Sequence, residues 1–294
     1  MGIKKVLLTG FFVITFALLL VSSNVIILAD STVLDAEFTK NSVEEADVYE
    51  DVADVANDEL ANNSGDEIIA DDEIQAVTET NVDRNYEFIH GEKPAPAVVI
   101  PTDEIDTDSE LVRSALASQT DSSGEDLPDE VDLTPEFNSQ QEQIFANVQQ
   151  AVSIISILTF VLPLVAIGLV ALLAWRTSLV TAGYAGGVVS GLVGILGIGA
   201  SYSVDTMLTP LIEQNIQQSI DVEQAASIAE NFAIEYTTGI SGALQLQSTV
   251  LLLLGIIGIG AAVAIQRGII PNPDEPTDGD GEEAADGDGE EAAD

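Results

Sequence analysis

The side chains able to do chemistry are few and scattered. His90 is the only histidine and there is no cysteine. One chain therefore builds neither a multi-histidine metal site nor a thiolate centre, and disulfides are excluded. Carboxylates are abundant. Asp71-Asp72-Glu73 and Asp103-Glu104-Ile105-Asp106-Thr107-Asp108 are the densest groups, and oxygen ligands of this kind suit Ca²⁺ or Mg²⁺. Neither run carries the glycine that turns a calcium loop. DGDGEEAA at 278–285, repeated at 286–293, starts like such a loop, but Glu283 stands at its sixth position. Solvated surface and a disordered acidic tail are the expected states. No catalytic, cofactor-binding or metal-ligating residue is assigned. His90 and Tyr86, near a helix end, are expected to be structural.

The elements that would position any site are dominated by uncharged runs. From Gln143 to Val204 the single charge in 62 residues is Arg176. Four spans are expected: one within 1–29, then 151–174, 178–204 and 247–266, each matching the roughly 20 residues that cross about 30 Å of hydrocarbon. The first follows Lys4 and Lys5 and reads as an uncleaved signal anchor, with processing after Val21-Ser22-Ser23 as the alternative. Trp175 and Arg176 fall in the turn between spans two and three, and Arg267 follows span four. Basic residues near span ends mark the cytoplasmic side. With four spans Lys4, Lys5, Arg176 and Arg267 share one side, and Trp175 suits an interfacial anchor. Both termini are then cytoplasmic, and residues 30–147 and 205–246 extracellular. Asn62-Asn63-Ser64 is a possible glycosylation site on Asn62.

Inside the membrane, Gly183, Gly187 and Gly191 make a small-residue stripe on span three, with Ser190 and Gly194 beside it. Such stripes let helices approach closely. Span four offers Gly258 with Ala262 and Gly260 with Ala264. Packing of spans three and four on each other is expected, with homo-oligomerisation as the alternative use of the stripe. Pro163 interrupts the hydrogen bonding of span two, and Thr159 stands one turn before it. Spans two to four carry no Asp, Glu, Lys, Arg or His apart from Arg176 at the turn. Coupled transport and intramembrane catalysis usually need such groups at membrane depth, so both are disfavoured.

Outside the spans the pattern is helical. Residues 42–61 read as a helix with Ser42 and Glu45 as a capping box. Asp72 to His90 reads as a second helix ended by Gly91 and Pro94, and 108–118 as a third. PAPAVVIP at 94–101 reads as an extended edge segment, and 119–133 as a polar acidic linker. Thr134 and Pro135 are placed to cap and open a stalk helix over 134–150 that runs on into span two. In 205–246, Pro210 is expected to start one helix and Asp221 to cap another, interrupted at Gly239 and Gly242. Their apolar stripes are expected to pack on the stalk and the first helices of the 30–133 domain. Residues 267–294 form the acidic tail.

The 294-residue chain carries 50 acids against 8 bases, a formal charge of −42. Self-repulsion of that size destabilises a compact state, but molar salt shortens the Debye length to about 3 Å. The balance points to a halophile, in the first place an archaeon. VYEDVADVANDEL, NVDRNYEFIHGEKP and the late span pattern resemble a group of uncharacterised prokaryotic membrane proteins, haloarchaeal ones included. The resemblance implies an N-terminal span, a helical ectodomain and three further spans, and brings no activity with it. The expected fold class is thus a mainly α membrane protein: four transmembrane helices, a small helical acidic ectodomain and a disordered tail. The expected function is a non-enzymatic envelope protein whose external domain meets a partner or stabilises an assembly. The alternative is a passive channel or an accessory to a transport complex. Its expected partners are the lipid bilayer and a second copy or another membrane or envelope protein. No nucleic acid is implied.

Overall fold

The computed structural model describes residues 3–61, 68–107, 109–119, 127–219 and 223–271. The order is α1 (Ile3–Ser31), α2 (Ala36–Glu45), α3 (Val48–Ala61), α4 (Asp71–Ile89), β1 (Val99–Pro101), α5 (Glu110–Gln119), β2 (Glu130–Asp132), α6 (Ser139–Arg176), α7 (Leu179–Ser219) and α8 (Glu223–Gln266). Helices α1, α6, α7 and α8 are long and apolar enough to cross a membrane. The chain is a mainly α-helical, multi-pass membrane protein. Asn62 and residues 272–294 lie outside the described residues.

The three later spans are not bare membrane crossings. Helices of 38, 41 and 44 residues measure about 57, 62 and 66 Å at 1.5 Å per residue. The hydrocarbon layer takes only about 30 Å. About half of each helix is therefore surplus to a membrane crossing. The described residues of the segment 205–246, which are 205–219 and 223–246, are accordingly not a separate pair of helices, as Pro210 and the two glycines predict, but the ends of α7 and α8 nearest the head; Asp221, the expected cap, lies outside the described residues. Pro210 lies inside α7 rather than at a helix start. Gly239 and Gly242 do not interrupt α8; at Gly239 the missing side chain makes room for Phe38, whose ring would lie 2.8 Å from an added Cβ. In α6, Pro163 is likewise internal, and the Thr159 hydroxyl donates back to the Ile155 carbonyl at 3.0 Å.

Helix α6 begins later than Thr134-Pro135 predict. Asn138 is the cap. Its side-chain oxygen accepts from the amides of Gln140 and Gln141 at 3.0 Å, and the Gln141 side chain accepts from the Asn138 amide at 2.9 Å. This reciprocal pairing satisfies donors that a helix start leaves open. Thr134 instead lies between β2 and α6, and its hydroxyl accepts the Val98 amide at 2.9 Å.

The described residues between α1 and α6 form a polar head at one end of the bundle. The single helix expected over 42–61 is two, α2 and α3, broken where Asp47 takes φ 55°. Ser42 is inside α2, not at its start, and donates to the Phe38 carbonyl at 2.9 Å. The cap is Asp35, which accepts the Phe38 amide at 2.9 Å. Helix α4 follows its expected bounds closely and ends at Ile89, with His90 as its cap and Gly91 at φ 81°. The linker expected over 119–133 contains β2, antiparallel to β1 with Ile100 opposite Val131. Val131 is fully buried with Val112 and Leu116 of α5, and Ile68, Ile69, Ile100 and Leu127 close around them. Side-chain amides fasten this sheet to the helices. Asn81 exchanges two hydrogen bonds with the Val99 backbone, both at 2.7 Å, and Asn85 donates to the Ala97 carbonyl at 3.0 Å.

Candidate functional site

Two structural centres stand out: the seam between α7 and α8, and the collar where the head sits on the helix extensions. The seam is built from small residues at seven-residue spacing. Ser241, Ser248, Gly255 and Ala262 are buried on α8, and Gly187, Gly194 and Ser201 on α7. Seven residues return to the same side of a slightly supercoiled helix, so the two helices stay in touch along their length. An added Cβ on Gly187 would lie 2.7 Å from the Gly255 carbonyl oxygen, and one on Gly194 would lie 2.6 Å from that of Ser248. Gly183 is tight against Ala262 and the Gly258 carbonyl, both at 3.2 Å. Gly191 has room, with only Leu252 at 4.0 Å. All three glycines of the expected stripe are at the contact: Gly183 and Gly187 face α8 directly, and the Gly191 backbone lies against Gly255, whose added Cβ would be 2.8 Å from the Gly191 Cα. Gly194, Gly197 and Gly255 carry more of it. Gly197 lies directly against Ser248, which is 0% exposed and whose hydroxyl has no partner among the described residues. The four-residue pattern pointed to Gly183, Gly187 and Gly191; the seven-residue recurrence of Gly and Ser adds Gly194, Ser248 and Gly255. Toward the head the seam ends in a hydrogen bond from the Ser241 hydroxyl to the Ser201 carbonyl at 3.1 Å.

The collar has three attachments. Phe38 of α2 meets Tyr236 of α8 edge to face at 5.2 Å, with Phe232 beside it at 5.4 Å from Tyr236. Phe88 of α4 meets Phe145 of α6 at 5.3 Å, and Phe137 meets Phe145 at 4.8 Å. Gln149, one turn further along α6, donates to the Phe88 and Lys93 carbonyls at 2.7 and 3.0 Å, closing the open end of α4. The third attachment grips the connection from α1 to α2. The Tyr86 hydroxyl donates to the Val33 carbonyl at 3.0 Å and accepts from Thr39 at 2.6 Å, and His90 Nε2 donates to the Leu34 carbonyl at 3.2 Å. Tyr86 and His90 thus fasten the head to the end of the first span.

Charged groups of the head make both cross-links between elements and local ties. Lys40 pairs with Asp83 at 2.6 Å and Lys93 with Glu87 at 2.6 Å, and Arg84 pairs with Glu130. Arg113 donates twice to the Thr107 carbonyl. Burial works against the charge on Lys40, yet the hydrogen bond and charge of Asp83, with Glu37 and Glu79, outweigh it and hold the ammonium above its usual range. Burial, then the charges of Glu79 and Glu44, push the Tyr49 phenol up to about 12. Among the described residues no group of three or more His, Asp or Glu is placed to hold a metal ion. Glu73, in the densest acidic run, caps α4 by accepting the Ala70 amide at 2.8 Å and reaches the Asp106 amide.

The cations outside the head gather at the opposite end of the molecule. Lys4 and Lys5 belong to the first turn of α1 and Arg176 ends α6, while Arg267 follows α8. Trp175 is 79% exposed, and the Arg176 guanidinium lies 5.6 Å from its ring centre. Tyr184 donates to Gln266 at 3.0 Å in the same region. Comparison with family models, with curated proteins and with solved structures finds no match for the chain. What the arrangement does chemically is hold: aromatic edges, amide caps and ion pairs couple the head to the membrane helices.

Proposed function

We propose that the chain is a non-enzymatic integral membrane protein of a halophile's cell envelope. Its head and helix extensions stand outside the cell and engage a second copy or another envelope protein. The observation that carries this reading is a set of exposed apolar side chains above the membrane. Val148 lies 28 residues before Arg176, and Met207 lies 28 residues after Leu179. Ile144 and Leu211 lie 32 residues from the same ends. At 1.5 Å per residue these positions are about 42 and 48 Å from the α6–α7 turn, past the roughly 30 Å of hydrocarbon. Met207 is 68% exposed and Leu211 52%, and Ile144 and Val148 are exposed too. Ile144 with Val148, and Met207 with Leu211, each stand one turn apart on their helix, and neighbouring apolar side chains in water suit a surface that another protein covers. The basic end supports a cytoplasmic placement of Arg176 and Arg267, and the −42 charge supports a medium of high salt.

Two measurements test it. Met207→Asp with Leu211→Asp should convert an assembled species into a smaller one in native-size analysis of detergent-solubilised envelopes, with the head still protease-resistant. A wild-type protein that is monomeric in the envelope and yields no crosslinked partner from position 207 contradicts the reading. The orientation is tested with a thiol reagent that does not enter cells. Leu60→Cys should be labelled and Asp280→Cys protected; the reverse pattern inverts the topology.

A further inference from the structure

The four spans do not fill the space between them. A cavity of about 720 Å³ lies at bilayer depth and is lined from all four, including Leu20 of α1, Ala166 and Ala171 of α6, Gly186 of α7, and Ala261 of α8. Among the described residues, Ser23 and Ser190 are the only hydroxyl-bearing ones in its wall. This volume falls in the range of ligand pockets, far beyond the voids that close packing leaves. Its wall offers water almost no hydrogen-bond partners, and apolar cavities of this kind stay dry. An occupant must then be apolar, and the acidic tail at 272–294 cannot supply one.

Position and charge narrow the choice. On α6 the lining runs from Pro163 to Ala174, ending two residues before Arg176; on α8 it runs from Leu251 to Ile265, ending two residues before Arg267. The cavity therefore starts beneath the cationic end and reaches about 20 Å into the membrane, past the midplane of a hydrocarbon layer about 30 Å thick. Helix α6 packs on α1 and α7, and α8 on α7, leaving α6 and α8 without an extended interface. Ala171 and Ala261 are exposed on the two sides of that gap, which opens toward lipid. Arg176 is exposed and pairs with no carboxylate among the described residues. We propose that the cavity is a binding site for one anionic phospholipid, with a hydrocarbon chain between the four spans and its phosphate on Arg176, assisted by Arg267. This inference does not depend on the envelope reading above.

The test uses full-length protein reconstituted with phosphatidylglycerol or with phosphatidylcholine, extracted in mild detergent and weighed by native mass spectrometry. One phosphatidylglycerol per chain should survive extraction. Ala171→Phe with Ala261→Phe should remove it, and Arg176→Gln should weaken retention about fivefold, the effect of one basic residue at an anionic surface. Phosphatidylglycerol carrying a photoreactive chain should, on detergent-washed wild-type protein, label Gly186 and Ala261 rather than Phe160 and Leu164. Those two are exposed on the bundle exterior, so this readout stands even where the filled variant does not fold. Retention unchanged by cavity filling, label spread evenly over interior and exterior, or a dimer whose second copy occupies the gap would each overturn the proposal.

Discussion

The α7–α8 seam and the head collar solve the same problem, holding two elements together, by opposite means. The seam uses Gly187, Gly194, Ser248 and Gly255, whose side chains are nearly absent, so that backbone meets backbone. The collar uses Phe38, Phe88, Phe145 and Tyr236, among the largest side chains available. The solvent explains the difference. Lipid tails are as apolar as leucine, so a large side chain gains little by leaving them, and close van der Waals approach is what joins helices there. In water an aromatic side chain gains by burial itself. One helix, α8, changes from one rule to the other along its length, with Tyr236 serving the head and Gly255 the seam.

The largest way to break this contrast is Phe88→Ala. Removing a buried aromatic costs about 3–5 kcal/mol, so the head should become protease-sensitive while the α7–α8 pair stays intact. Next, Gly194→Ala should destabilise the membrane bundle by about 1–3 kcal/mol, since the added carbon overpacks a backbone contact. Gly199→Ala, where nothing lies within 4 Å of an added Cβ, should instead be neutral or stabilising by up to about 1 kcal/mol. Unfolding in mixed micelles by denaturant reads both.

Alkaline pH sharpens the contrast from the head's side. The Tyr49 phenol titrates at about 12 in the folded protein and near its ordinary value of about 10 when unfolded. The folded state then holds a proton that the unfolded state has lost. Stability from this group is complete below pH 10 and falls as pH rises through 12. The raised Lys40 ammonium adds a loss in the same direction. Head melting should decline over that window, and Tyr49→Phe should flatten the decline. The smallest effect is Arg84→Gln. It breaks the surface pair with Glu130, worth less than about 1 kcal/mol, and the difference should vanish in molar salt.

Much of this architecture is written in the sequence. The spans are legible because charge is missing from them, and α4 because its apolar period and its stop at Gly91 agree. The misread parts share a cause: a local signal overruled by packing. Pro210 and Gly239 look like breaks, yet α7 and α8 run through both, and at Gly239 the ring of Phe38 occupies the space. Ser42 has the spacing of a cap, but Asp35 performs that role and Ser42 bonds backward within the helix. Val131 is one apolar residue between two acids, and only its partners in α5 reveal it as core. Asn138 with Gln141 was a readable capping box, masked by the more conspicuous Thr134-Pro135.

The central claim is that the α7–α8 pair leaves the membrane as one continuous unit and carries the head. The direct measurement is disulfide formation in membranes between Ser201→Cys and Ser241→Cys, in a chain free of native cysteine. The account predicts rapid crosslinking within one chain for this pair and almost none when Gly242→Cys replaces Ser241→Cys. Crosslinks that form only between chains, or equally at both positions, would contradict it.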